Sequence, residues 1–109
     1  MDTTTHAEIL KEGTHVWNAF VFDSNIQSAA LRDADLSDLS LRRVNLVNAD
    51  LTGANFSTTD LSQGCLADAK LQNANFSSAL LNGADLSDAD ASAADFRGAR
   101  LNGTNLASA

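Results

Sequence analysis

Residues able to do chemistry are few in this chain, and they do not converge. Two histidines, His6 and His15, both fall in the N-terminal segment and read as isolated surface residues rather than ligands. The single cysteine, Cys65, has no metal spacing around it and occupies an outward slot among polar residues. A tolerated small side chain is the simpler reading there than a reactive thiol. Ser and Thr are numerous, but no His or Lys is placed to activate one of them as a nucleophile. The carboxylates recur too regularly for an acid/base pair and read as the solvated faces of something periodic. No glycine-rich loop opens a helix. The chain is therefore expected to be non-enzymatic, with no cofactor and no bound metal.

The elements that carry these side chains are constrained by composition. With 109 residues there is room for one domain. The apolar fraction of 44% is mostly Leu and Ala, with no Pro, no Tyr and one Trp, a bias that calls for a search for repeats. A net charge of −7 argues against direct nucleic-acid binding, because phosphate backbones demand a basic surface. One cysteine allows no internal disulfide and suits a reducing compartment. The N-terminus shows no signal-peptide pattern and no segment has the length of a membrane span, so a cytoplasmic protein is expected.

Stepping in fives from Ile26 to Leu106 gives 17 positions, all apolar and 16 of them larger than Ala. Two residues before each runs a second series, Ser24 to Thr104, in which 11 of 17 are Ala. The residue between the two series is Asp or Asn at 11 of 17 positions. A period of five builds no stripe on an α-helix, where five residues rotate by about 500°. On a flat strand an odd step alternates faces. The period works only if the chain turns a corner once per repeat, so that every Leu points to one axis. Phe56, Phe76 and Phe96 are spaced by 20 residues, which predicts four repeats per coil and three stacked rings. About four coils follow, at roughly 4.8 Å each.

The runs Ala49-Asp50-Leu51-Thr52-Gly53, Ala54-Asn55-Phe56-Ser57-Thr58 and Ala84-Asp85-Leu86-Ser87-Asp88 resemble the A(D/N)LXX motif of the pentapeptide-repeat family. The resemblance covers about four fifths of the chain. It implies an all-β solenoid, the right-handed quadrilateral β-helix, and a small member of cyanobacterial type. Departures are Ala91 at a Leu position, Leu39 and Val44 at Ala positions, and Cys65, Lys70, Leu80 and Arg100 at Asp/Asn positions. Val44 falls one coil from Gly64, which suggests a large residue offset by none. Ala91 should leave an underfilled spot.

Residues 1–23 are read as an N-terminal capping helix and lead-in, and 24–109 as the β-helix. Thr5-His6-Ala7-Glu8 has capping-box spacing, and Ile9, Leu10, Val16, Trp17 and Phe20 form one apolar stripe on a helix from about Thr5 to Ala19, weakened by Gly13. No such element follows Phe96, Leu101 and Leu106, so a homodimer through the C-terminal coil is expected. Sorted by side of the square, the outward charges sum to −1, −2, +2 and −3. On side one, Lys70 is placed to bridge Asp50 and Asp90. Side three holds Arg42, Arg43 and Arg100 against Asp60, while side four holds Asp68, Asp85 and Asp88 with no basic residue. The leading expectation is a protein-interaction or scaffolding module whose partner surface comprises Asp68, Asp85, Asp88 and Val47. The alternative, implied by the family's quinolone-resistance members, is DNA mimicry with binding and inhibition of DNA gyrase or another topoisomerase.

Overall fold

The computed structural model describes residues 3–109, with side chains from His6 onward. Helix α1 spans Thr3–Lys11 and helix α2 spans Thr14–Ser24. The single helix expected from Thr5 to Ala19 is thus two, because Gly13 takes φ 123°, which no helix continues through. The capping box expected at Thr5 rests on a side chain outside the described residues. Helix α2 ends at Asn25 in the left-handed conformation (φ 52°, ψ 45°).

Beyond α2 the chain forms twelve parallel bridges, from Ala30↔Asp50 to Asp85↔Asn105, each joining a residue to the one 20 positions later. The coil of four pentapeptides is therefore present in the backbone itself. Each bridge is a single residue long, and no continuous strand forms among the described residues, because the chain turns before a second pair can add. Hydrogen bonds link successive coils on every side, as in Leu31 N–H to Asp50 C=O (2.9 Å) and Asp50 N–H to Ala29 C=O (2.8 Å).

The corners have a common construction. The small residue's N–H donates to the carbonyl of the core residue three positions back, as from Ala34 to Leu31 (3.2 Å) and from Ala54 to Leu51 (2.9 Å). Between them every fifth residue from Asp33 to Ser108 has φ between 57° and 74°. Four of these sixteen are Gly, at 53, 83, 98 and 103; the rest tolerate a left-handed backbone that costs an L-residue roughly 1–2 kcal/mol. The Asp or Asn before each core residue explains itself here. At ten positions, including Asp35, Asn55, Asp85 and Asn105, its side-chain oxygen accepts the N–H two residues on, at 2.9–3.3 Å. This is the Asx turn, which bends the chain with no help from neighbouring coils.

Inside, the every-fifth residues from Leu31 to Leu86, Phe56 and Phe76 among them, are at most 1% exposed. The rings stack as the spacing predicts: Phe56 on Phe76 at 5.0 Å and Phe76 on Phe96 at 4.9 Å, tilted by 10° and 1°. Val44 does face Gly64, where an added Cβ would lie 3.3 Å from Val44 Cγ1 and 3.0 Å from the Leu61 carbonyl oxygen. Thr59, in an Ala position, is buried with its hydroxyl donating to the Leu36 carbonyl at 2.5 Å.

Three side chains fasten the helices to the first coil; the sequence placed Trp17 in the capping stripe but did not single out Asn18 or His6 for this role. Trp17, fully buried, donates its indole N–H to Asn45 C=O (2.8 Å). Asn18 donates to Arg43 C=O (3.1 Å) and accepts from Asn45 N–H (2.8 Å). His6 is buried rather than on the surface as expected: its Nδ1 accepts the Ala30 N–H at 2.8 Å, and its ring meets the edges of Trp17 and Phe20. His15 is exposed.

Three outcomes follow from this packing. Phe76→Ala should cost about 3–5 kcal/mol by emptying the middle of the ring stack, while Ser77→Ala should be nearly neutral in thermal unfolding; equal losses would contradict the inward/outward assignment. Gly64→Ala should cost about 1–3 kcal/mol by overpacking, and less when Val44→Ala is present, a coupling measurable in a double-mutant cycle. The third concerns acid. Hydrogen bonds from the Ser at the second residue on hold Asp35, Asp85 and Asp90 below their ordinary value, and Arg97 brings Asp95 down to about 2. At Asp50 and Asp60 burial pushes upward, but Thr52 or Ser62 together with Arg32 or Arg42 outweigh it. Depressed carboxylates stabilise the fold above their ordinary value of 3.8 and lose that contribution as pH falls toward about 2. Circular dichroism against pH should show the loss confined to that acidic window, and stability unchanged across it would overturn the corner assignment.

Candidate interaction faces

The ladder sorts outward side chains into vertical columns, each repeating at 20 residues. On side four, Asn45, Cys65, Asp85 and Asn105 form one column, joined by three bridges. The four residues singled out from the sequence divide into two kinds. Asp85 is half-buried and accepts the Ser87 N–H at 2.9 Å, so it belongs to a corner. Asp68 and Asp88 are exposed, occupy left-handed corner positions (φ 60° and 59°), and among the described residues engage in no side-chain hydrogen bond or ion pair. They stand in the same column, one coil apart, with a ladder spacing of about 4.8 Å. Val47 is 38% exposed beside them, in line with the half-buried Ala67.

The other sides neutralise much of their charge internally. On side one, Arg32 pairs with Asp50 (3.6 Å). Lys70 does not bridge Asp50 and Asp90 as expected; it acts on Asp50 as a nearby charge, while Asp90 accepts from Gln72 (2.9 Å). On side two, Arg97 grips Asp95 through two nitrogens, at 2.8–3.2 Å. On side three, Arg42 reaches Asp60 (3.4 Å) and Arg43 reaches Gln63 (3.0 Å). Exposed pairs of this kind add little stability, at most about 1 kcal/mol each.

At the far end, Phe96 is half-buried under Phe76, while Leu101 and Leu106 are 37% and 45% exposed. An open hollow of about 500 Å³ lies beside Ala91, lined also by Asp88, Asp90, Ser92, Ser108 and Ala109. Among the described residues no helix is long and apolar enough to cross a membrane, and no group of three His, Cys, Asp or Glu could hold a metal ion.

The left-handed corner positions were missed in the sequence, although a signal was present: four of the six glycines fall there, all in the one register. Recognising that slot separates Asp68 and Asp88, which occupy it, from Asp85, which precedes a core residue and accepts the N–H of an Asx turn.

Comparison with known proteins agrees with this architecture. The family profile described as pentapeptide repeats matches eight copies over residues 24–63 and 66–106. A pentapeptide-repeat protein from the cyanobacterium Cyanothece 51142 is 37% identical, with a TM-score of 0.68 over 74% of this chain and 52% of its own. One from the Arabidopsis thaliana thylakoid lumen is 30% identical, with a TM-score of 0.67 over 72% and 53%. A third, from Nostoc Pcc 7120, is 27% identical, with a TM-score of 0.61 over 74% and 69%. The chain thus spans about half the length of the first two structures. No curated protein matches the sequence. Proteins of this kind form right-handed quadrilateral β-helices and generally serve as structural or interaction modules. With eight repeat copies covering most of its length, the chain belongs to the pentapeptide-repeat family.

Proposed function

We propose that this protein is a non-enzymatic interaction module that offers side four, an acidic face with an apolar margin, to another protein in the cytoplasm. In this reading about four coils form a short right-handed shaft, and the helical pair closes its N-terminal end. The observation that carries the reading is the stack of Asp68 on Asp88 without a counter-charge. Two carboxylates held about 5 Å apart repel by about 1 kcal/mol even in a water-like dielectric. Elsewhere the shaft engages its outward carboxylates through Ser, Thr, Gln or Arg, Asp33 excepted; here it leaves two of them, one coil apart, to solvent beside Val47. A partner's Lys or Arg placed between them would relieve the repulsion and anchor the contact, with Val47 and Ala67 supplying apolar area at its edge.

DNA mimicry fits the surface less well. A duplex surrogate needs negative charge around its whole girth, whereas Arg42, Arg43 and Arg100 make side three positive.

The test is a paired Asp68→Asn/Asp88→Asn variant, since Asn keeps the left-handed corner comfortable while removing both charges. Its melting temperature should equal or exceed that of the wild type, because repulsion is relieved. Proteins captured by the wild type from a cyanobacterial lysate should be lost from the variant. Undiminished capture would exclude side four as the contact. Inhibition of gyrase supercoiling by the wild type would favour mimicry instead.

A further inference from the structure

Helix α2 is apolar on both of its faces. Trp17, Phe20 and Val21 pack against the core, while Val16, Ala19 and Phe22 turn away from it. Phe22 is 86% exposed and Val16 45%, and Ala19 between them is exposed as well. A helix that is apolar all round is ordinarily covered all round. Together with His15 and Asp23, these outward residues fall at i, i+1, i+4, i+7 and i+8, a single stripe two turns long. The stripe is symmetric about Ala19: Val16 and Phe22 lie three residues to either side of it, His15 and Asp23 four. Laid antiparallel on a second copy across a two-fold axis at Ala19, it sets Val16 against Phe22 of that copy and His15 against its Asp23. The axial offsets agree, at ~4.5 Å for the apolar pair and ~6 Å for the polar pair, given a rise of about 1.5 Å per residue. A methyl group at the crossing lets the two helix axes approach to about 8 Å.

Charge agrees with this occupant. Asp23 sits in the last turn of α2, where the helix dipole disfavours a carboxylate, and no basic residue accompanies it there. At the other end Gly13 supplies no side-chain cap, and the first turn holds no acidic residue. Antiparallel pairing brings each misplaced carboxylate to the uncapped end of the other helix, where the His15 imidazole N–H donates to it. Neither His15 nor Asp23 engages in a side-chain hydrogen bond or ion pair among the described residues. A lipid surface is the poorer occupant, because α2 has no Lys or Arg and anionic headgroups repel Asp23.

We propose that two copies of this chain associate through the outward stripe of α2, antiparallel about Ala19, with Phe22 as the apolar anchor and His15–Asp23 pairs at both ends. Two turns of helix from each copy bury less than the roughly 1,200 Å² of a standard interface, so the dimer forms at high protein concentration and separates on dilution. This contact is distinct from the pairing through the C-terminal coil expected from the sequence. It uses none of Asp68, Asp88 and Val47, so it stands or falls apart from the role assigned to side four.

The test is sedimentation velocity of the purified chain from about 1 µM to about 1 mM. The weight-average mass should climb from the 11.4 kDa of one chain toward twice that value. Phe22→Asp should raise the dissociation constant by roughly tenfold or more. Its circular dichroism and melting temperature in dilute solution should match the wild type, because Phe22 touches little of its own chain. His15→Asp sets like charges against each other and should weaken the dimer, and adding Asp23→His to it should restore association. With Cys65→Ser removing the native thiol, an Ala19→Cys chain should form an interchain disulfide under mild oxidation, since the two-fold axis puts residue 19 beside its own copy. A chain that stays monomeric throughout overturns the proposal, and its flotation with phosphatidylglycerol vesicles would then name a membrane as the occupant. A dimer indifferent to Phe22→Asp overturns it too, by placing the contact elsewhere. Should Phe22→Asp fail to fold, the charge exchange and the disulfide decide the matter by themselves.

Discussion

At every fifth residue from Asp33 to Ser108 the backbone enters the left-handed region, and this corner sets the rest of the structure. It keeps each Leu pointing at a common axis and limits every bridge to one residue. It also closes the coil after four repeats, so that residue n meets residue n+20. Twelve of the sixteen corners do this without glycine, against a steric cost repeated along the shaft. The cost is borne by cooperation between short-range and long-range bonds. The Asx oxygen bends the chain locally, and the ladder then holds the bend from above and below. Removing either leaves a strained turn with nothing to impose it.

The same economy governs the surface. A column carboxylate that receives a backbone N–H and a hydroxyl is a structural part, however charged it is; Asp50 with Thr52 and Asp90 with Ser92 are examples. Charge that the fold does not use is what remains for recognition. By that criterion Asp68 and Asp88 stand apart from Asp85, although all three share one side. The distinction depends on position within the corner and not on exposure alone.

One end of the shaft shows how its edge problem is met. At the N-terminal side, His6, Trp17 and Asn18 supply side-chain donors and acceptors to Ala30, Arg43 and Asn45, in place of a preceding coil. Farther along the shaft the coils cover one another through the ladder, as where the Gly83 N–H meets the Asn102 carbonyl. Local protection in a solenoid thus comes from the adjacent coil or cap, as expected where each repeat is stabilised by its neighbours alone.

The sequence by itself determined the period, the inward residues, the 20-residue coil and the ring stack, because each is a repeated apolar choice that only one geometry can bury. Phe56, Phe76 and Phe96 carry that information in their spacing, and Val44 opposite Gly64 carries it in their volumes. Tertiary structure alone decided the rest. The helix break at Gly13 was marked locally by the glycine itself, whereas the burial of His6 and the failure of Lys70 to bridge its neighbours depend on long-range partners that no local pattern encodes. So does the division of side four into bound and free carboxylates. Whether an Asp is a strut or a contact depends on which backbone N–H lies within reach of it, and three-dimensional placement decides that.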